Sequence, residues 1–118
     1  MNFDNDFPQE GTVEIIVGKR KFEYKPLTTG EEFDNLKELG DDFTKNAYYK
    51  LTRVLSCPYA KERIKKILGI DKEYSELNNE QKIAFWRKLR PSVTTKVLEG
   101  ISKIELGESE ELKNSSTP

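Results

Sequence analysis

Two facts narrow the chemistry before any fold is considered: the chain has no histidine, and its only cysteine is Cys57. Histidine is the side chain most often poised near neutral pH to move a proton. Without it, the Ser-His-Asp and Cys-His nucleophile systems and the usual zinc-ligand sets cannot be built. One cysteine cannot complete a structural zinc site within one chain, and it cannot form an internal disulfide. Neither G-x-x-x-x-G-K-[ST] nor G-x-G-x-x-G occurs, so no phosphate-cradling loop is expected. Gly18-Lys19-Arg20-Lys21 reads instead as a charged turn. No catalytic residue, metal site or cofactor is expected, and the protein reads as a non-enzyme.

The remaining candidates for chemistry have structural explanations. Glu31 with Glu32 and Asp41 with Asp42 are adjacent carboxylate pairs, but neighbouring positions on a helix do not face one another. Both pairs fit helix starts, where negative charge suits the dipole. Cys57 is expected just ahead of a helix N-terminus, where a thiolate would be favoured. A small residue at a helix break accounts for it equally well.

Charge is distributed unevenly. Residues 1–44 hold five basic and eleven acidic side chains, whereas residues 45–68 hold seven basic and one acidic. Lys45, Lys50, Arg53, Lys61, Arg63, Lys65 and Lys66 form a basic set that could contact phosphates, and a local basic face binds polyanions even in an acidic protein. The second and third helices meet across a short break, as helix-turn-helix units do. Against this, Lys61 and Lys65 simply complete an amphipathic helix, and no long helix with base-reading side chains follows. The same basic segment could face the acidic N-terminal third, within the fold or in another copy.

The elements that position these residues follow from periodicity and punctuation. TVEIIV (12–17) and KFEYK (21–25) read as a hairpin. A two-residue loop sets Ile15 opposite Phe22 and Val13 opposite Tyr24, and a four-residue loop pairs Val17 with Phe22. Both keep the apolar side chains on one face, whereas a simple three-residue loop splits them. Pro26 ends the second strand. Thr29 with Glu32 spells a capping box for a helix over 30–39, with Phe33, Leu36 and Leu39 as its apolar stripe and Gly40 closing it. Asp41 or Asp42 caps a second helix over 43–55, with Phe43, Ala47, Leu51 and Leu55 at four-residue steps. Ser56-Cys57-Pro58 breaks it, and Pro58 fits the first turn of a third helix whose Ala60, Ile64, Ile67 and Leu68 face inward, stopped at Gly69-Ile70. Residues 71–77 suit one short helical turn. Asn78 or Asn79 caps a fourth helix with Ile83, Trp86 and Leu89 on one side, interrupted at Arg90-Pro91. Over 92–105 strand propensity in SVTTKV competes with the helical spacing of Val93, Val97, Leu98, Ile101 and Ile104, and the period favours helix.

These elements predict an α+β fold, mostly α: an N-terminal β-hairpin packed on a bundle of four to five short helices. The 118 residues suit one domain, and 35% hydrophobic against 35% charged residues implies a small core under a highly charged surface. Residues 1–10 read as a flexible lead, 11–106 as the domain and 107–118 as a disordered, acidic and Ser-rich tail. No apolar run is long enough to span a bilayer, and the acidic N-terminus lacks the features of a Sec signal. A cytoplasmic protein with no membrane partner is expected.

The fourth helix raises the question of a partner. Phe85 points away from the Ile83, Trp86 and Leu89 stripe, so either the core face is broad or Phe85 sits at an interface. The candidate partner surface is therefore Phe85, Trp86 and Leu89. The layout also resembles a known group. A hairpin with a charged tip, then YKPLTTGEEFDNL leading into short helices, is similar to the tail assembly chaperones of long-tailed phages and prophages. Leu27, Thr28, Glu31 and Phe33 carry the match, which covers residues 12–106. The resemblance implies a non-enzymatic protein that self-associates and shields a helical tape-measure protein in the host cytoplasm. The readings beside it are a small nucleic-acid-binding regulator using the basic helices and an adaptor subunit of another assembly.

Overall fold

The computed structural model describes Phe3, Asp6, Phe7 and residues 11–107. Most of the expected N-terminal lead, and the expected tail apart from Gly107, lie outside the described residues. The rest is α+β and mostly α, a three-stranded antiparallel sheet with five α-helices.

The hairpin forms with the two-residue loop. Strand β1 (Val13–Val17) pairs with β2 (Arg20–Tyr24) in the register Val13 to Tyr24, Ile15 to Phe22 and Val17 to Arg20. Gly18 has φ of 63° and Lys19 is not in the left-handed region, which suits a tight turn needing a positive φ at its first position only. The parity buries Ile15, Phe22 and Tyr24 on one face. On the other face Glu14 stands opposite Glu23, and Lys21 reaches both carboxylates at 3.4 and 3.9 Å, which relieves the like-charge pair.

A third strand departs from the expected layout. Helix α1 spans Thr29–Leu39 and α2 Phe43–Thr52, but Val54–Ser56 forms β3 beside β2, so β2 is central. The predicted helix over 43–55 thus ends three residues early. Glu23 pairs with Ser56 and Tyr24 with Val54, leaving Leu55 as a bulge on the edge strand. Burying Val54 against the sheet and giving Tyr24 a neighbour outweighs one more helical turn.

The remaining helices form where periodicity places them, with some ends shifted. Helix α3 (Lys61–Leu68) closes on Gly69, whose φ of 70° suits a left-handed cap, but it starts after Ala60, so Pro58 lies in the link and not in the first turn. A 3-10 turn at Tyr74–Glu76 leads to α4 (Asn79–Trp86), capped by Asn78 in a box with Gln81. It stops at Arg87, so Leu89, expected on its inner side, lies beyond the helix, which ends before the Arg90-Pro91 break. Helix α5 (Pro91–Glu105) has Pro91 in its first turn behind an extended Arg90, so period prevailed over strand propensity.

The sheet's inner face is the organising surface. Phe22 packs on Trp86 with ring centroids 5.6 Å apart, and Tyr59, Phe85 and Tyr74 continue the aromatic cluster. Helix α5 crosses β1, and α2 packs on both α4 and α5. Helix α1 is the outermost layer and rests chiefly on α2.

The α5 crossing depends on one missing side chain. A Cβ built at Gly100 falls 2.7 Å from Ile15 Cγ2, and Ile15 is buried in the sheet face. Gly100→Ala gains up to about 1 kcal/mol of helix propensity but overpacks this contact at a cost of about 1–3 kcal/mol. Net destabilisation, read as a lower urea midpoint, is expected; an unchanged or higher midpoint refutes the close contact.

Candidate functional site

The expected partner surface on α4 is not a surface. Phe85 is 0% and Trp86 2% exposed, and Leu89 is half-buried against the same core. Phe85 meets Tyr59 and Tyr74 edge-on or tilted at 5.8 and 5.4 Å, so the link before α3 and the 3-10 turn cover the side of α4 that a single stripe leaves open. Trp86 Nε1 donates to Tyr74 Oη at 3.0 Å, and Tyr74 donates to the Val54 carbonyl at 2.8 Å. Burial pushes the Tyr74 hydroxyl well above its ordinary value. Lys82 lies over the Tyr74 ring with Nζ 3.5 Å from the Thr52 carbonyl, and burial pushes its ammonium below the usual lysine range.

The members of the basic set have different surroundings. Strand β3 and the residues after it separate α2 from α3, so the expected helix-turn-helix meeting is not formed. Lys50 opens onto one depression and Lys61 onto another, and Lys61 lies 3.7 Å from Asp71. Lys45, Arg63, Lys65 and Lys66 are on the surface of their own helices. Arg53 is used inside the fold. Its Nε donates to the Lys25 carbonyl at 2.9 Å, Nη2 to the Pro26 carbonyl at 2.9 Å and Nη1 to Glu31 Oε2 at 3.1 Å.

The carboxylates act as caps, with one shift of register. TTGEE contains two overlapping T-x-x-E boxes, and the structure uses Thr28 with Glu31 instead of Thr29 with Glu32. Thr28 is extended (φ −81°, ψ 165°) as it leaves Pro26-Leu27, and its hydroxyl accepts from the Glu31 N–H while Glu31 Oε1 accepts from the Thr28 N–H. The second Glu31 oxygen is the one bound by Arg53, so this choice ties the helix start to the sheet. Asp42 caps α2 by accepting from the Lys45 N–H at 3.0 Å. Cys57 is half-buried and separated from α3 by three residues, and burial pushes its thiol up, so the helix start gives it no thiolate character.

What the structure leaves open is elsewhere. Phe33 is 64%, Phe43 81% and Leu106 72% exposed, and Leu36 is also exposed; the only buried residue of α1 is Asn35. The predicted inward stripe of α1 therefore faces outward at Phe33 and Leu36, with Leu39 half-buried. Asn35 Nδ2 donates to Asn46 Oδ1 at 2.7 Å, so a polar pair and not the apolar row seats α1 on α2. A groove of about 430 Å³ runs between α1, α2 and the end of α5, lined by Leu27, Glu32, Phe33, Lys50, Glu105 and Leu106 among others. Its floor is fixed by Glu105, whose Oε1 accepts from Tyr24 Oη at 2.7 Å and from the Leu27 N–H at 3.1 Å. Burial, reinforced by this carboxylate, raises the Tyr24 hydroxyl far above its ordinary value. The lining mixes the apolar Leu27, Phe33 and Leu106 with threonine, serine and charged side chains; among the described residues no three metal-ligating side chains cluster, and no helix is long and apolar enough to cross a membrane.

No match stands where a family would. Neither a protein-family model, nor a curated protein, nor a solved structure matches the chain.

Glu31 sets a pH dependence. Hydrogen bonding from the Thr28 backbone, aided by the Arg53 guanidinium, holds its carboxyl below the ordinary carboxylate range. A lowered folded value means that the unfolded chain takes up the proton first. The contribution is present above about pH 4.3, the ordinary Glu value, and is lost as pH falls through the folded value. Glu31→Gln keeps the capping-box acceptor and removes the charge, so it is expected to reduce stability by about 0.3–1 kcal/mol at pH 7, with the gap to wild type closing towards pH 3 in urea unfolding. An equal gap at both pH values refutes the charged cap.

Proposed function

We propose that this chain is a non-enzymatic assembly protein of the tail-assembly-chaperone kind. It shields an amphipathic helix of a tape-measure-like partner, self-associates, and acts in the cytoplasm, that of the host if a phage encodes it. The observation that carries this reading is the exposure of Phe33, Leu36, Phe43 and Leu106, of which Phe33 and Leu106 line the groove. Large apolar side chains at a groove suit helix-in-groove recognition, in which anchors at three- and four-residue steps fill the gap.

The residues behind the family likeness support the same place. Leu27 and Phe33 line the groove, and Thr28 and Glu31 build the cap at its end. They thus serve a binding edge as well as a strand-to-helix junction. Catalysis finds no comparable support, because Glu31 and Asp42 are engaged as caps and Cys57 and Tyr74 are both pushed towards their protonated forms.

Co-expression with a helical tape-measure-like protein tests the proposal. The partner's soluble fraction is expected to rise several-fold with wild type and to fall back with Phe33→Gln/Leu36→Gln. Insolubility that is unchanged by the wild-type chain refutes it.

A further inference from the structure

The open face has a self-complementary layout, and we propose that in the free protein it is occupied by the same face of a second copy, forming an antiparallel four-helix dimer. This rests on the protein-binding reading only for the choice of face.

Helices α1 and α2 run antiparallel, since Glu31 meets Arg53 at one level and Asn35 meets Asn46 at another. At about 100° per residue, Thr29, Glu32, Phe33 and Leu36 share one side of α1. By the same step Phe43, Ala47 and Lys50 share one side of α2. Glu32, Phe33 and Lys50 line the same groove beside the end of α5, so the two rows open towards the same side at that end.

The rows differ in charge and in size. Helix α1 carries Glu31, Glu32, Asp34 and Glu38 against Lys37 alone, whereas α2 carries Lys45 and Lys50 and no acid. A two-fold axis parallel to the helices sets α1 of one copy over α2 of the other and keeps every residue at its own height. Lys50 of the second copy then comes within about one helical rise of Glu32. Ala47 of the second copy falls between Phe33 and Leu36, a small residue between two large ones. Phe43 of the second copy falls past Leu36 towards Gly40, which has no side chain to meet it. A two-fold axis across the helices would instead lay acidic α1 on acidic α1, which the like charges oppose. The isologous arrangement along the helices thus satisfies apolar burial, size alternation and charge together.

Helices of 11 and 10 residues give a face only about 15 Å long. Such an interface belongs to the small, exchanging class, so the dimer forms in the micromolar range and its subunits mix freely.

Mixing provides the test, read by sedimentation equilibrium on the full chain. Wild type is expected to approach twice the chain mass at high concentration. Phe33→Gln/Leu36→Gln is expected to stay monomeric with an unchanged thermal melt, because both side chains are exposed. Glu32→Lys and Lys50→Glu each set like charges across the interface and should weaken association about tenfold or more. In an equimolar mixture of the two charge variants, both cross-contacts regain opposite charges, so association should return close to wild type. A wild-type chain that stays monomeric overturns the proposal, as does a dimer undisturbed by the glutamine variants. So does a mixture no stronger than either charge variant. A chain that dimerises in this way but leaves the co-expressed partner insoluble removes the chaperone reading alone. A solubilised partner with a monomeric chain removes the dimer, and with it the self-association of the proposed function, but leaves the shielding of the partner.

Discussion

The Arg53 guanidinium holds the layers of the molecule in register. It sits at the joint between α2 and β3, and its three donors reach the two residues that follow β2, Lys25 and Pro26, and the capping box of α1. Pro26 has no N–H and takes the chain out of the sheet, so the Lys25 and Pro26 carbonyls need donors from outside the ladder. Arg53 supplies both, and its own carbonyl accepts from the Lys25 N–H at 2.9 Å. The side chain is only 14% exposed, so these bonds act in a medium where charge-assisted contacts are strong. The angle at which α1 leaves the sheet, and therefore the opening between α1 and α5, follows from this junction. The same side chain that sequence composition assigns to a basic surface is the clamp of the fold.

Local punctuation was legible because each signal has a short-range cause. Parity selects a small set of loops for the hairpin, Pro91 marks the start of α5, and Gly69 closes α3. Strand β3 was not legible. Three residues are too few to show an alternation, and Leu55 extends the four-residue spacing of α2 as neatly as it forms a bulge. The decision is tertiary, since Val54 fills the sheet's inner face beside Tyr24. The cap of α1 illustrates a finer ambiguity. Two overlapping boxes are equally good locally, and Arg53, far along the chain, favours the one containing Glu31.

The open face was half legible. Periodicity locates Phe33 and Leu36 on one side of α1, but it cannot say whether the chain supplies a surface to cover them. A polar contact, Asn35 with Asn46, turns α1 so that they remain outside. The error on α4 has the opposite sense. Phe85 lies off the stripe of its helix, yet Tyr59 and Tyr74 arrive from irregular segments to enclose it. An amphipathic pattern reports which residues want cover, and only the packing of the other elements shows which of them receive it.

The thin seating of α1 has a consequence for motion. Lifting it from α2 breaks a polar pair and an ion pair but uncovers little apolar surface, because Asn35 is its one buried residue. Such an opening costs only a fraction of global unfolding and depends weakly on denaturant. The amides of α1 therefore exchange with solvent through a local event, while those of β2 and α5 wait for the whole domain to open. Any ligand seated across α1 and α2 closes that local route, so the outermost helix reports occupancy through the lifetime of its own hydrogens.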